Sequence, residues 1–237
     1  MKVSNTIFHI THWKAGSQWI HRILRELFPK NIVSPKVYEK QFLEEPLLDG
    51  YIYPTVYVTR EQFFSVSLPS NYKKFIIIRD LRDTLVSGYF SIRYSHALVD
   101  ETLRIWREQL ECLSTEDGLL LLMDEWLPES AQIQKSWINT NEVLIRYEDL
   151  LNKDNKILFD VLINKCSLSI SPERLTAVIA KNRFKQVANG RPPGQEDIFS
   201  HQRKGVSGDW KNYFTPLVIK EFMASYGDLL SQAGYEE

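Results

Sequence analysis

The chain has 237 residues, of which 43% are hydrophobic and 25% are charged, close to the average of globular proteins. This composition excludes a disordered, collagen-like or coiled-coil chain. The 29 basic and 30 acidic residues leave a net charge of −1, which excludes a general nucleic-acid coat but allows a small basic pocket.

The two cysteines, Cys112 and Cys166, are too few for a disulfide framework. They could form one disulfide, but we interpret them as buried free thiols of a reducing compartment. Residues 1–10 contain no apolar run of signal-peptide length, and the leucine-rich run at 119–123 is far too short to span a membrane. We therefore expect a cytoplasmic protein without a membrane span, and the sequence leaves its oligomeric state open.

Three short apolar segments, at residues 7–10, 75–78 and 143–145, each lead directly into a helical pattern. Such continuous apolar runs are typical of strands buried on both faces of a parallel sheet. A further strand is predicted at residues 55–58. Strands that alternate with helices predict a three-layer α/β fold, with a central parallel sheet flanked by helices. We treat residues 1–237 as a single domain.

The helical patterns have recognisable ends. After the first strand, apolar side chains recur at helical spacing until Pro29 ends the helix. They are Ile20, Ile23, Leu24, Leu27 and Phe28. Residues 100–137 are helical in pattern, and a last helix is predicted from about Pro216 to Leu230, since proline suits the first turn of a helix.

The loop after the first strand has the layout of a phosphate site. In open parallel sheets, ligands bind beyond the carboxyl ends of the strands, where the N–H groups of a helix N-terminus attract anions. Here Gly16 permits close approach of the backbone, Lys14 adds a positive charge and Ser17 adds a hydroxyl. The Walker pattern is absent, because the lysine comes two residues before the glycine. The alternative interpretation is a capped turn with an exposed lysine.

Two further segments have phosphate-binding character. Arg79 follows the second apolar segment, and Ser87 lies about two helical turns further on, so that both could grip one phosphate. Alternatively, Arg79 only pairs with Asp80 or Asp83. Residues 203–208 combine an arginine and a lysine with two glycines, which is either a second basic clamp or an ordinary surface loop.

Together these segments resemble the cytosolic-type sulfotransferases, whose sulfuryl donor is 3′-phosphoadenosine 5′-phosphosulfate (PAPS). Residues 11–19 are similar to the family's T-Y-P-K-S-G-T-T-W, and residues 79–89 to its R-x-x-[KR]-D-x-x-V-S-x-Y. Residues 147–149 are the family's Y-E-D, and residues 203–215 match its R-K-G-x-x-G-D-W-K-x-x-F-T. A weaker match to T-S-F-K falls on residues 182–185. The motifs follow the family order and frame nearly the whole chain, so the resemblance implies a sulfotransferase fold similar to that of P-loop NTPases.

The resemblance implies transfer of a sulfuryl group from PAPS to a hydroxyl or amine of a small-molecule acceptor, with release of adenosine 3′,5′-bisphosphate (PAP). The residues that would hold the 5′-phosphosulfate are Lys14, Ala15, Gly16, Ser17, Gln18 and Trp19, and Lys14 would also neutralise the bridging oxygen. Those that would bind the 3′-phosphate are Arg79, Ser87, Arg203, Lys204 and Gly205. Those around adenine would be Trp19, Tyr147, Asn182 and Phe184. Such transfer depends chiefly on positioning and charge stabilisation, and the family needs no metal.

The chain departs from the family at the general base. The family's histidine stands in a strand-end K-T-H-L-P, and the best local alignment places Val58, Thr59 and Arg60 there. Arginine cannot accept a proton near neutral pH. Candidates for a displaced base are, in order, His12, Glu61 and His96, each of which has a structural, hydrogen-bonded role as its alternative.

Two alternatives to an active sulfotransferase stay open. The first is a nucleotide kinase, because the folds share a phosphate loop, although the Walker lysine and a clear magnesium carboxylate are absent. The second is a catalytically silent module that binds PAP or PAPS, which Arg60 suggests. The acceptor is not identified by the sequence. Aromatic side chains indicate a partly apolar pocket or simply core packing, and these are Trp13, Phe63, Phe64, Tyr89 and Tyr94.

Overall fold

A four-stranded parallel sheet lies at the centre of the fold. The structure, a computed structural model, describes residues 4–36 and 41–235. The strands lie in the order β2-β1-β3-β4 and every neighbouring pair is parallel, which confirms the predicted α/β class. Their bounds are β1 (Thr6–Thr11), β2 (Ile52–Val56), β3 (Tyr72–Ile78) and β4 (Leu144–Arg146).

The helices that follow the strands are longer and more numerous than the sequence patterns alone indicate. In chain order they are α1 (Ser17–Leu27), α2 (Gln41–Glu44), α3 (Arg60–Ser65), α4 (Leu81–Phe90), α5 (Glu101–Cys112), α6 (Thr115–Glu125), α7 (Leu127–Trp137), α8 (Tyr147–Phe159), α9 (Pro172–Lys181), α10 (Phe184–Val187) and α11 (Pro216–Gln232). Short π-helical turns extend α4 and α8, and a 3₁₀ turn covers Asp209–Asn212. No helix in these described ranges is long and apolar enough to cross a membrane.

Both faces of the sheet are covered, which gives the predicted three layers. Consecutive side chains of a strand point to opposite faces. Ile7 and Ile77 therefore pack with α1, α8 and α9, whereas Phe8 and Ile76 pack with α2, α3 and α7. A third apolar cluster joins α4, α6, α7 and α11 beside the sheet.

The second strand differs from the prediction. It covers Ile52–Val56 rather than residues 55–58, and Pro54 lies inside it. Proline is tolerated because β2 is an edge strand of this sheet. The chain leaves the sheet early because Thr59 forms a capping box with Gln62 and starts α3 at Arg60.

The last helix agrees with the prediction, and the cysteines agree in part. Both are free thiols, but only Cys166 is buried as expected, whereas Cys112 is exposed. Burial raises the pKa of the Cys166 thiol to about 12, which keeps that sulfur unreactive. Helix α11 begins at Pro216, where the Thr215 side chain caps its first turn.

Candidate donor and acceptor site

A cavity of about 1390 Å³ opens at the carboxyl ends of all four strands. Its wall includes Lys14 after β1, Tyr57 after β2, Arg79 after β3 and Tyr147 after β4. This is where parallel sheets bind their ligands. The loop at residues 201–207 closes the cavity from the C-terminal part of the chain.

The cavity brings together nearly all the residues predicted to bind the donor. Those in its wall are Lys14, Gly16, Ser17, Gln18, Trp19, Arg79, Ser87, Tyr147, Asn182, Phe184, Arg203, Lys204 and Gly205. Ala15 differs, because it is fully buried and its N–H donates to the His12 carbonyl oxygen at 3.3 Å. The geometry therefore does not support the Ala15 amide as a phosphate donor.

The loop before α1 is shaped to receive an anion. Lys14 and Gly16 have φ angles of 62° and 87°, and α1 has no side-chain cap within the described part of the chain. The Trp19 N–H donates to the Gly16 carbonyl oxygen at 2.9 Å, so the backbone donors that this turn can offer to an anion are those of Ser17 and Gln18. Gly16 is also required for space, because a Cβ there would lie 2.8 Å from the ring of Tyr147.

Lys14 lies in a strongly positive environment. Burial, together with the charges of Arg79 and Arg203, lowers the pKa of its ammonium group to about 8. A ligand that carries negative charge would relieve this repulsion. The electrostatics of the cavity therefore fit the phosphates that the loop geometry also favours.

Arg79 joins the first loop to the C-terminal loop. Its guanidinium donates to the Lys14 carbonyl oxygen at 2.8 Å and to that of Val206 at 3.5 Å, and it lies 4.7 Å from the centre of the Tyr147 ring. Its distance to the Asp83 carboxylate is 3.8 Å, so this pair is loose. The alternative pairing with Asp80 does not form, since that carboxylate caps α4 and binds Arg82 at 2.8 Å.

The basic pair of the C-terminal loop is already balanced by carboxylates. Arg203 contacts Glu196 and Asp209, and Lys204 Nζ lies 2.6 Å from Asp209. Against the effect of burial, Lys204 and Arg203 lower the pKa of Asp209. A phosphate at this place would therefore share both cations with Asp209.

Aromatic rings form the remaining wall of the predicted nucleotide site. Trp19 meets Tyr147 edge to face at 6.3 Å, and the guanidinium of Arg191 lies 5.2 Å from the ring centre of Phe184. The Asn182 amide donates to the Val178 carbonyl oxygen at 2.9 Å and to Glu26 at 3.2 Å, so its NH₂ group is committed to the protein. Two buried donors beside the cavity, Trp19 Nε1 and Arg79 Nε, have no acceptor among the described residues, which fits a ligand rich in oxygen acceptors.

The cavity wall also contains many apolar side chains, together with the carboxylates of Asp100, Glu125 and Glu129. Trp13 stacks on Tyr57 with ring centres 4.8 Å apart. The further apolar wall residues are Phe42, Val56, Ile92, Val99, Leu103, Trp106 and Trp126. Of the aromatic residues named from the sequence, only Trp13 is part of this wall. Phe63 and Tyr89 are core residues, and Phe64 and Tyr94 lie outside the wall.

His12 has a structural position. Its Nε2 accepts the Arg79 backbone N–H at 3.1 Å, and its Nδ1 lies 3.0 Å from the Trp13 carbonyl oxygen, to which it donates. The ring is fully buried, and this burial lowers its pKa to about 4. Both nitrogens are committed to the backbone, so the geometry favours a role in holding the β1 and β3 loops together rather than the predicted role of general base.

Two buried histidines, His9 and His12, should make the stability of the fold depend on pH. Burial also lowers the pKa of His9 to about 4. Since both histidines bind protons more weakly in the folded chain than in the unfolded chain, the free energy of unfolding should fall as pH decreases from about 6.5 to about 4. Each could contribute up to about 3 kcal/mol to this loss. Urea unfolding at pH 7, 6, 5 and 4 measures the free energy of unfolding. The decrease with pH should be shallower in His9→Gln, and a free energy that does not change with pH would contradict the prediction.

Glu61 and His96 differ in position. Glu61 is exposed in the first turn of α3 and does not line the cavity, so the geometry gives no support to its predicted role as base. His96 lines the cavity, and its Nδ1 lies 2.8 Å from the Ala97 carbonyl oxygen. If Nδ1 donates to that oxygen, Nε2 carries the lone pair that a base needs.

A further histidine of the cavity was missed by the sequence analysis. His201 lies in the wall two residues before Arg203. The charge of Lys14, then burial and the neighbouring His96 and Arg22, lower its pKa to about 4. Its place just before the basic motif was the only sequence signal. No group of three or more metal-binding side chains is found in residues 4–36 and 41–235.

A helix start without a side-chain cap at the sheet edge, faced by a basic loop, is typical of α/β proteins that bind nucleotides through their phosphates. The model of the sulfotransferase domain family matches residues 4–234, and the chain therefore belongs to this family. It transfers the sulfuryl group of PAPS to hydroxyl acceptors, as the resemblance of its motifs implied.

Relatives and solved structures agree with this assignment. Human sulfotransferase 2A1 is 25% identical over 90% of this chain and 80% of its own length. The 3-beta-hydroxysteroid sulfotransferase of Cavia porcellus is 24% identical over 95% of this chain and 83% of its own. Mouse sulfotransferase SULT7A1, crystallised with PAP, superposes with a TM-score of 0.66 at 19% identity, covering 99% of this chain and 90% of that one. The structure of retinol dehydratase with retinol and PAP superposes with a TM-score of 0.57 at 14% identity, covering 97% of this chain and 82% of that one. At these identities the two structures show a shared fold.

Proposed function

We propose that the cavity binds PAPS at its phosphate-loop end and a bulky, mainly apolar alcohol at its other end. The observation that carries this proposal is the mixed wall of one cavity. Lys14, Arg79 and Arg203 are part of the same wall as large apolar side chains, among them Trp13, Trp106 and Trp126. The acceptor hydroxyl would then meet the donor near Lys14.

The donor end supports definite roles for its residues. Lys14 and the N–H groups of the first turn of α1 hold the 5′-phosphosulfate, and the lysine neutralises the charge that develops on the bridging oxygen. Arg79, Ser87 and the loop at residues 203–205 bind the 3′-phosphate. PAPS itself supplies the sulfuryl group, and the chain contributes orientation and charge, as such a transfer requires.

The acceptor class is supported by the apolar wall and by the relatives. The two Cavia porcellus relatives act, by name, on 3-beta- and 3-alpha-hydroxysteroids, and the retinol dehydratase structure contains retinol. A hydroxyl on a large apolar skeleton matches a wall built from indole, phenyl and aliphatic side chains. An amine on such a skeleton is the second form of acceptor that the same wall would take.

A transfer assay with labelled PAPS tests the proposal directly. The acceptors should be hydroxysteroids, retinol, simple phenols, an apolar amine and, as the polar control, a sugar. We expect transfer to the large apolar alcohols and none to the sugar. Tight binding of PAP in calorimetry without any transfer would identify a silent nucleotide-binding module instead. Phosphate transfer from ATP would identify a kinase.

His96 is the general base in this proposal, because it is the one of the three candidates that lines the cavity with a ring nitrogen available. His96→Gln keeps a polar side chain but cannot accept the proton at neutral pH. We expect kcat to fall about 10²–10⁴-fold while the Kd of PAP stays within about twofold. His201→Gln is the matched comparison, since it changes the other histidine of the same wall. A loss of turnover in His201→Gln and not in His96→Gln would reassign the base.

A further inference from the structure

The segment after β2 differs from what its alignment with the family implies. The three residues aligned with the family's lysine, threonine and histidine, Val58, Thr59 and Arg60, do not line the cavity. Val58 is 1% exposed and packs in the core, and Thr59 caps α3. Arg60 is exposed, with its guanidinium 5.1 Å from the ring centre of Phe64.

Tyr57 is the side chain that this segment presents to the cavity. It immediately precedes Val58 and is half-buried. Its ring packs against the same apolar cluster as Val58, and it also lines the cavity beside the loop that precedes α1. Because α3 begins at Arg60, the aligned residues Val58, Thr59 and Arg60 lie outside the cavity wall, and the phenol of Tyr57 is part of it instead.

Two contacts hold Tyr57 against the phosphate loop. Its hydroxyl donates to Ser17 Oγ at 2.9 Å, and its ring stacks on Trp13 with an interplanar angle of 21°. Ser17 is the first residue of α1 and its side chain is nearly buried. Since Ser17 Oγ accepts a hydrogen from Tyr57, its own hydrogen is left to donate to another acceptor.

We propose that Tyr57 is a positioning residue of the donor site. It orients the Ser17 hydroxyl so that this group donates to an oxygen of the 5′-phosphosulfate, and its ring anchors Trp13 between the donor and the acceptor. The proposal rests on the proposed function, because it assigns the anion at the first loop to the donor. It is independent of which residue acts as the base.

The decisive variant is Tyr57→Phe, which keeps the aromatic ring and removes the hydroxyl that donates to Ser17 Oγ. We expect the Kd of PAP and the KM of PAPS to rise about three- to tenfold, as for the loss of one hydrogen bond, with a smaller change in kcat. Ser17→Ala should have a similar effect. The double variant should be little worse than either single one, because both remove the same interaction.

Tyr226→Phe is the matched control. The Tyr226 hydroxyl donates to the Met123 carbonyl oxygen at 3.0 Å, away from the cavity, so the same chemical change there should leave the Kd of PAP unaltered. Trp13→Ala should raise the KM of the acceptor more than the Kd of PAP, since it removes the stack and leaves the hydrogen bond.

Three outcomes would overturn the proposal. They are an unchanged Kd of PAP in Tyr57→Phe, additive effects in the double variant, or an equal effect of Tyr226→Phe. If Tyr57→Phe does not fold, Ser17→Ala tests the same bond from its other side, and an unchanged Kd there overturns the proposal as well. Failure of the proposed function is distinguishable, because the wild-type chain itself would then not bind PAP.

Discussion

Lys14→Ala is expected to lower kcat about 10²–10³-fold while raising the Kd of PAP less than about tenfold. In the proposed site Lys14 contacts both the phosphosulfate and the reacting oxygen, so its charge matters most in the transition state. Single-turnover transfer gives the chemical step, and calorimetry with PAP gives donor affinity. If kcat of Lys14→Ala stays within a few-fold of the wild-type value, Lys14 does not have the catalytic role.

Two other variants test whether the effect of Lys14→Ala depends on where the positive charge is removed. Lys211→Ala makes the same change in an exposed lysine of the C-terminal motif, outside the cavity wall, and should leave both constants unaltered. Arg203→Ala should show the opposite pattern to Lys14→Ala, with donor binding weakened more than kcat. It also takes one of the cations from Asp209, so its melting temperature should be measured beside its affinity.

The pKa of Lys14 provides a second readout of the same role. With the pKa of its ammonium group at about 8, the free enzyme loses this charge as the pH rises through that value. The affinity of the wild-type chain for PAP should therefore fall above about pH 8, and the fall should be weaker in Lys14→Ala. Equal pH profiles for the two proteins would show that another group is responsible.

The donor end of the site was predictable because its signals are local. Lys14 and Gly16 lie in one loop between a strand and a helix, and Arg79 directly follows a strand, so their side chains meet at the edge where parallel strands end. The first, third and fourth strands were predictable for a similar reason, since each is a short apolar run that leads into a helix.

The other end of the site depends on contacts that the sequence order does not reveal. His12 was a candidate base by its place in the loop, but its Nε2 accepts an N–H from Arg79, 67 positions away. Tyr57 was not selected because alignment counts positions along the chain, whereas the capping box at Thr59 decides where the chain leaves the sheet. Sequence spacing therefore predicted which basic residues share the cavity, but not which side chains complete its wall.

Gly205→Ala is expected to weaken the binding of PAP by at least about tenfold while the chain still folds. Gly205 has a φ of 67°, and a Cβ there would lie 2.3 Å from the ring of Phe184. The left-handed backbone costs an alanine about 1–2 kcal/mol, and the new methyl group must also displace the ring. Phe184 is the aromatic wall of the predicted adenine site, and Gly205 borders the predicted 3′-phosphate site. One methyl group therefore disturbs the predicted contacts of both the adenine and the 3′-phosphate.

Gly190→Ala distinguishes the effect of backbone strain from that of the contact with Phe184. Gly190 has a φ of 87°, but a Cβ there would meet no atom within 4 Å among the described residues. This variant carries the backbone strain without the contact, so its melting temperature should fall while its Kd for PAP stays near the wild-type value. Calorimetry with PAP and thermal unfolding of both variants give the comparison. Equal donor affinity in the two variants would mean that Phe184 does not pack against the nucleotide, because only Gly205→Ala moves that ring.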